Sequence, residues 1–269
     1  VSWDGQRAGI IEPVMDEAAL LSETVRLLRE SAKIAQHGRS SFQIEVKGDT
    51  SLVTNIDREV ETLLKAELLK LTPGAGFWGE EYGHSPATEA GYWVVDPIDG
   101  TSNFAYHQPL WGITIGFVKD GKLLLGAFNL PDLNEEYTAI SGHGAFLNGT
   151  PMPMIPPGII APTHIVGHGD SDLQLMGRAP GKVRHIGAFV VEAAFVATQR
   201  YRAMTTGRVS LYDAAAGILV CRELGAEIRH WDGRAFDEAE NLGHQRCEPM
   251  VICPADSNFP FGSELASLS

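Results

Sequence analysis

Basic residues are scarce in this 269-residue chain: 21 Lys and Arg stand against 34 Asp and Glu, a formal net charge of -13 at pH 7. Such a chain repels nucleic-acid backbones and anionic membranes unless its basic residues cluster. It has no Lys/Arg block of that kind, so neither nucleic acid nor membrane is an expected partner. Cysteine is scarce too. Cys221, Cys247 and Cys253 are odd in number and form no CxxC pair, which argues against a disulfide framework or a structural zinc site. Three free thiols in a reducing compartment are expected instead. No apolar stretch reaches the length of a membrane span; "AFVVEAAFVA" is short and carries Glu192. The opening residues, "VSWDGQRAGIIEP", lack a basic start followed by an apolar run, so no secretory leader is expected and the expected location is cytoplasmic. His143, His164 and His168 have no HExxH-like spacing and read as strand-end or turn residues. Internal repeats and low-complexity tracts are absent as well.

What is present suits a large buried core: 44% hydrophobic residues and only 20% charged. Residues 14–36 carry apolar positions at helical spacing, with Gly38 as the stop. Residues 55–71 form a second helical stripe, opened by Asn55 as a cap and closed by Pro73-Gly74. Strand-like runs follow: "GFW", "YWVV", "WGITIGFV", "KLLLGAFNL", "EEYTAI" and "GHGAFLNGTPM", with a hairpin signature at Asp120-Gly121. The proline-rich "PMPMIPPGIIAP" reads as a connection between two halves. Beyond it strands and helices alternate: "THIVG", a helix near Asp172 to Met176, "KVRHI", "AFVVEAAFVATQ", "YRAMT", "DAAAGILVCREL" and "AEIRHW". The expected organisation is an α+β half over 1–150 and an α/β half over 151–269, forming one compact catalytic unit.

Four acid- or hydroxyl-bearing stretches stand at the ends of these elements: "KGDTSLVTNID" (47–57), "WGEE" (78–81), "DPIDGTSNF" (96–104) and "YDAAAG" (212–217). In the third, Pro97 fixes the backbone after Asp96 and Gly100 permits a sharp turn after Asp99. Two carboxylates three apart, with the Ile98 carbonyl between them, offer the oxygen-only ligands that Mg²⁺ prefers. Without a cation they would raise each other's pKa. Thr101 starts a short helix, whose Gly100 and Thr101 amides make a phosphate cradle. Asp213 opens a helical run, where the dipole favours a carboxylate.

Together these stretches resemble the inositol monophosphatase family, within the magnesium-dependent, lithium-sensitive sugar-phosphatase superfamily. Lys47, Asp49, Val53, Thr54 and Asp57 match one motif, Gly79 to Glu81 a second, and Asp96 to Phe104 the signature "DPIDGTxNF". "GAFLNG" (144–149) resembles the family's glycine-rich strand, and residues 212–217 match "WDxAAG" with tyrosine for tryptophan. The resemblance implies a layered αβαβα sandwich of the inositol monophosphatase / fructose-1,6-bisphosphatase type, often a homodimer, that hydrolyses small phosphate monoesters with Mg²⁺. It assigns Glu80, Asp96 and the Ile98 carbonyl to one metal, Asp96, Asp99 and Asp213 to a second, and a weaker third to the neighbourhood of Glu80. Asp57 and Thr101 form the pair that orients or deprotonates water, with Glu80 as another proton acceptor. Gly100 and Thr101 receive phosphate.

The match departs where the substrate's alcohol half should sit. Gly187, Ala188 and Phe189 replace a glycine, a small hydroxyl residue and an alanine, and Thr206 stands where the family often has an acid. A site lacking those hydrogen-bond partners discriminates poorly for a polyol. Phe189 faces either the pocket or the core. An inositol-1-phosphate-like substrate is expected, with histidinol phosphate or a sugar bisphosphate as alternatives, the second with Arg184, Arg200 or Arg202 as a further anion contact. A nucleotide 3′-phosphatase and a non-catalytic phosphate-binding protein fit the residues less well.

Overall fold

A computed structural model describes residues 16–48, 51–86, 88–169, 180–207, 209–237, 240 and 247–261. Asp49 and the helix expected near Asp172 to Met176 lie outside them.

The first helix, α1, spans Glu17–Gly38, and Asp16 caps it by accepting from the Ala19 amide at 2.7 Å. A short hairpin follows, β1 (Ile44–Val46) and β2 (Leu52–Thr54). Helix α2 covers Asn55–Leu71. Its cap is Thr54, not Asn55: Thr54 is extended, and its hydroxyl accepts from the Ile56 and Asp57 amides. Asn55 instead accepts from the Gln43 amide at 2.7 Å, tying the hairpin to the helix.

Then come β3 (Gly76–Gly79), β4 (Tyr92–Asp99), the one-turn α3 (Thr101–Ala105), β5 (Gly112–Lys119), β6 (Lys122–Leu130), β7 (Glu135–Ile140), β8 (Ala145–Leu147) and β9 (Thr150–Pro151). The strands form one seven-stranded sheet in sequence order, antiparallel except for β3 beside β4. Beyond the proline-rich connection lie β10 (Ile165–His168), β11 (Lys182–Arg184), α4 (Phe189–Ala197), β12 (Ala203–Thr206), α5 (Leu211–Glu223), β13 (Ala226–His230) and β14 (Met250–Pro254). Their strands make a mixed sheet in the order β11-β10-β12-β14-β13.

The layers follow from alternation along the strands. On β5, Ile113 and Ile115 join Trp93 and Val95 against α1 and α2. The opposite face packs on α4 and α5, with Val94, Phe128, Val190 and Leu219 buried together. Gly116 and Gly126 sit on that face. A Cβ there would come within 2.9 Å of Ala215 Cβ or of Ala216 Cα respectively, so the missing side chains let α5 lie close on the sheet. The five-stranded sheet covers the other side of α4 and α5, giving a layered α+β fold. No helix among the described residues is long and apolar enough to cross a membrane.

Candidate active site

Asp96 and Asp99 lie inside the end of β4, not in a loop beyond it. Asp96 pairs with Thr114 and Asp99 with Gly112, so the register slips by one residue between them. Pro97 has no N–H to give to the ladder, and a bulge is the usual result. The slip has a consequence for aim. Residues three apart on a regular strand point to opposite faces. Here both acids share the face of Thr114 and Gly112, toward α4 and α5, while Ile98 between them is buried toward α1 and α2. Asp96 Oδ1 accepts from the Ile98 amide at 2.9 Å. Gly100 then takes φ +84°, and α3 starts at Thr101.

Three further elements bring acids to the same place. Asp57, in the first turn of α2, is fully buried. Its Oδ2 accepts from the Thr54 amide at 2.9 Å and the Thr54 hydroxyl at 2.5 Å, and its Oδ1 lies 3.4 Å from Thr101 Oγ1. The Thr101 hydroxyl is also 3.0 Å from the Ile98 carbonyl, so its single proton is shared between two acceptors. Asp213, in the first turn of α5, accepts from the Ser210 amide at 3.2 Å, and its charge acts on Asp96. Glu80 follows β3, and Lys47 Nζ lies 2.8 Å from Glu80 and 2.5 Å from Glu81. Tyr212, the residue that replaces tryptophan, meets Trp78 of β3 edge-on with centroids 6.2 Å apart.

The carboxylates act strongly on one another. Burial, then Glu80, Asp213 and Asp99, hold Asp96 well above the usual carboxylate range; the Ile98 amide opposes them. Burial and the charges of Asp99 and Glu80 raise Asp213 likewise. Burial pushes Asp99 up to about 7 against backbone hydrogen bonds from Val190, Phe189 and Gly100. It pushes Asp57 to about 7 against its bonds to Thr54. Buried carboxylates that raise one another in this way are relieved by a proton or by a shared cation.

Among the described residues no three His, Cys, Asp or Glu side chains close on a single point, because each acid is drawn to its own partner: Glu80 to Lys47, Asp99 to the start of α4, Asp213 to Ser210. The donor set nevertheless fits a hard divalent cation. It is all oxygen, Asp96, Asp99 and Asp213 are buried or nearly so, and after burial the largest influences on Asp96 are the negative charges of Glu80, Asp213 and Asp99.

The segment before α4 is docked on the signature loop. Val190 donates its amide to Asp99 Oδ2 at 2.5 Å, and Asn103 Nδ2 donates to the carbonyls of Ile186 (3.0 Å) and Leu110 (2.7 Å). Gly187 is exposed and Ala188 is buried against Gly100. The Phe189 ring packs on α5: its nearest carbon is 3.1 Å from where a Cβ on Gly217 would stand. The Phe189 ring therefore belongs to the core against α5. Thr206 ends β12, buried beside Gly169. Arg200 is engaged by Glu135 and Tyr137, Arg202 by Gln199 and the Gly158 carbonyl, and Arg184 by its neighbour Val183. Glu61 is a site residue that the sequence motifs do not mark. It is buried one turn beyond Asp57, at the i+4 position that shares a helix face, and that spacing is the available signal.

A layered α+β scaffold with buried carboxylates gathered at strand and helix ends is the class that this geometry defines, and comparison with known proteins places it. The family model for the inositol monophosphatase family matches residues 16–248. An inositol-1-monophosphatase of Mesorhizobium japonicum is 32% identical over 207 residues, 72% of this chain and 77% of that protein. A histidinol-phosphatase of Mycobacterium tuberculosis is 32% identical over 213 residues, 74% and 81% of the two chains. Among solved structures, the Thermotoga maritima IMPase superposes with a TM-score of 0.76 at 26% identity, covering 87% of this chain and 91% of that one. The chain belongs to the inositol monophosphatase family, and it is a phosphoric monoester hydrolase.

Proposed function

We propose that this protein is a Mg²⁺-dependent phosphomonoesterase for a small phosphorylated alcohol of the inositol-1-phosphate kind. The observation that carries the reading is the register slip that turns Asp96 and Asp99 to one face of β4, where Asp213 at the start of α5 and Glu80 after β3 act on Asp96 through charge. Glu80, Asp96, the Ile98 carbonyl, Asp99 and Asp213 would hold the cations. Bound there, Mg²⁺ would lower the pKa of water and offset phosphate charge. A solved IMPase/NADP phosphatase with this fold, TM-score 0.78 over 92% of this chain, 94% of that chain and at 24% identity, carries Mg²⁺ and phosphate.

The chain's own residues supply the rest. Asp57, held near 7 and 3.4 Å from Thr101 Oγ1, is poised to take a proton from water through the threonine hydroxyl at neutral pH. Lys47 holds Glu80 by an ion pair, and release of that pair frees a second acceptor. The Gly100 and Thr101 amides, at the start of α3, would offer donors for the phosphate. Gly187 and the Asp99-bound start of α4 border the alcohol side, with Thr206 behind them.

Histidinol phosphate is the second reading. It is favoured by the similarity to a histidinol-phosphatase at the same identity as to the inositol-1-monophosphatase, and by a threonine where an acid would hold a polyol. A sugar bisphosphate has less support, since Arg184, Arg200 and Arg202 are each bound by other residues. The resemblance also carries a homodimer, which sedimentation would show. The three free, buried thiols suit a cytoplasmic setting.

Phosphate release from inositol phosphates, histidinol phosphate, sugar bisphosphates and nucleotide phosphates, with Mg²⁺ or EDTA, tests the reading. Release from an inositol or histidinol monoester only with Mg²⁺ is expected. No release from any of them would favour a binding protein.

A further inference from the structure

Glu61 has a place in the site that the metal ligands alone do not explain. It is fully buried in α2, and each of its oxygens is taken by a backbone amide from one short turn. Oε2 accepts from Glu81 N at 2.7 Å and Oε1 from Tyr82 N at 2.9 Å. The same carboxylate lies flush on the backbone just before that turn. A Cβ on Gly79 would stand 2.1 Å from Oε1 and 2.4 Å from the carboxyl carbon. Glu61 thus touches residues 79, 81 and 82, and residue 80 is held between them.

We propose that Glu61 is the positioning residue for Glu80. It fixes the backbone on both sides of Glu80, so that only the Glu80 side chain has to turn from Lys47 to the cation. This rests on the metal role proposed for Glu80. Amides buried in a turn need acceptors, and a ligand whose backbone is fixed loses less freedom when it coordinates. A packing role alone needs no carboxylate, since Val60, Leu64 and Phe77 already fill this layer. It also does not explain why the side chain at position 79 is missing where Glu61 lies.

Glu61→Gln keeps the size but replaces one acceptor oxygen by an NH₂ that faces an N–H. Free Mn²⁺, read by electron paramagnetic resonance during titration of the apo-protein, measures affinity without turnover. The expected result is Mn²⁺ binding weaker by about tenfold or more, a matching rise in the Mg²⁺ needed for half-activation, and an unchanged KM at saturating Mg²⁺. Wild-type affinity in a folded Glu61→Gln protein would overturn the inference. Failure of the wild type itself to bind Mn²⁺ would overturn the metal reading on which it depends. If the variant does not fold, amide exchange in the wild type decides: protected Glu81 and Tyr82 amides are expected, and exchange at open-loop rates would refute the clamp.

Discussion

The backbone amide of Val190 donates to Asp99 Oδ2 at 2.5 Å, so the second acid of the signature caps α4, the helix proposed to border the alcohol side. Ala188, the residue at the cap position, makes no side-chain cap bond; Asp99 supplies it from 91 residues away. One carboxylate therefore serves the proposed metal centre and the docking of the substrate-side segment.

These two roles separate by substitution. Asp99→Asn keeps an oxygen for the Val190 amide but loses the charge. It should fold with near-normal stability and lose at least about 100-fold in Mg²⁺-dependent activity, more than loss of an outer partner usually costs. Asp99→Ala should lose the activity and, in addition, about 1 kcal/mol of stability from the missing cap. Steady-state kinetics and urea denaturation of the two variants measure both effects.

Stability should depend on pH and cation together. Asp57 and Asp99 are raised from 3.8 to about 7 by burial, so the folded chain binds their protons more tightly than the unfolded one. Their contribution is fully present below pH 3.8 and is lost as pH rises through about 7. His168 runs the other way. Burial lowers it from 6.5 to about 4, and its contribution is present above 6.5 and lost as pH falls toward 4. A single pH scan mixes the two, but Mg²⁺ acts on the acids alone. The gain in Tm on adding Mg²⁺ should be about 5 °C or more near pH 8 and smaller near pH 5.5, where protons compete for the carboxylates. Melting curves with Mg²⁺ and with EDTA at both pH values give the difference.

Phe189 should govern stability and not substrate choice. Its ring lies in the core against Gly217. Phe189→Ala is expected to cost about 3 kcal/mol or more while leaving the ratio of kcat/KM for inositol and histidinol phosphates unchanged. A large change in that ratio, with stability preserved, would place the ring in the pocket instead.

Much of this is legible in the chain. The stripe of Ile56, Val60, Leu64 and Leu68 locates α2 and its buried face, and the chemistry of "DPIDGT" by itself points to oxygen ligands. Less legible is what depends on partners far off in sequence. Asp99 caps α4 across 91 residues, and the bulge at Pro97 turns both acids to one face only because β5 pairs where it does. The β1–β2 hairpin escapes a sequence reading because its strands have three residues each and Ile44 and Val46 are exposed. β14 escapes it because "MVICP" is a short apolar run whose strand identity comes from pairing with β12 and β13. Asn55 and Thr54 are both good cap residues; the contact with Gln43 that decides between them is tertiary.

The most direct test of the metal-centre reading is phosphate release from an inositol-1-phosphate-type monoester as a function of Mg²⁺ concentration, for the wild type and for Asp96→Asn. Asp96 is the acid on which Glu80, Asp99 and Asp213 all act. The predicted result is saturable activation of the wild type by Mg²⁺, abolished by EDTA, and no activation of Asp96→Asn at any concentration. Equal release by wild type and variant, or release that persists in EDTA, would contradict it.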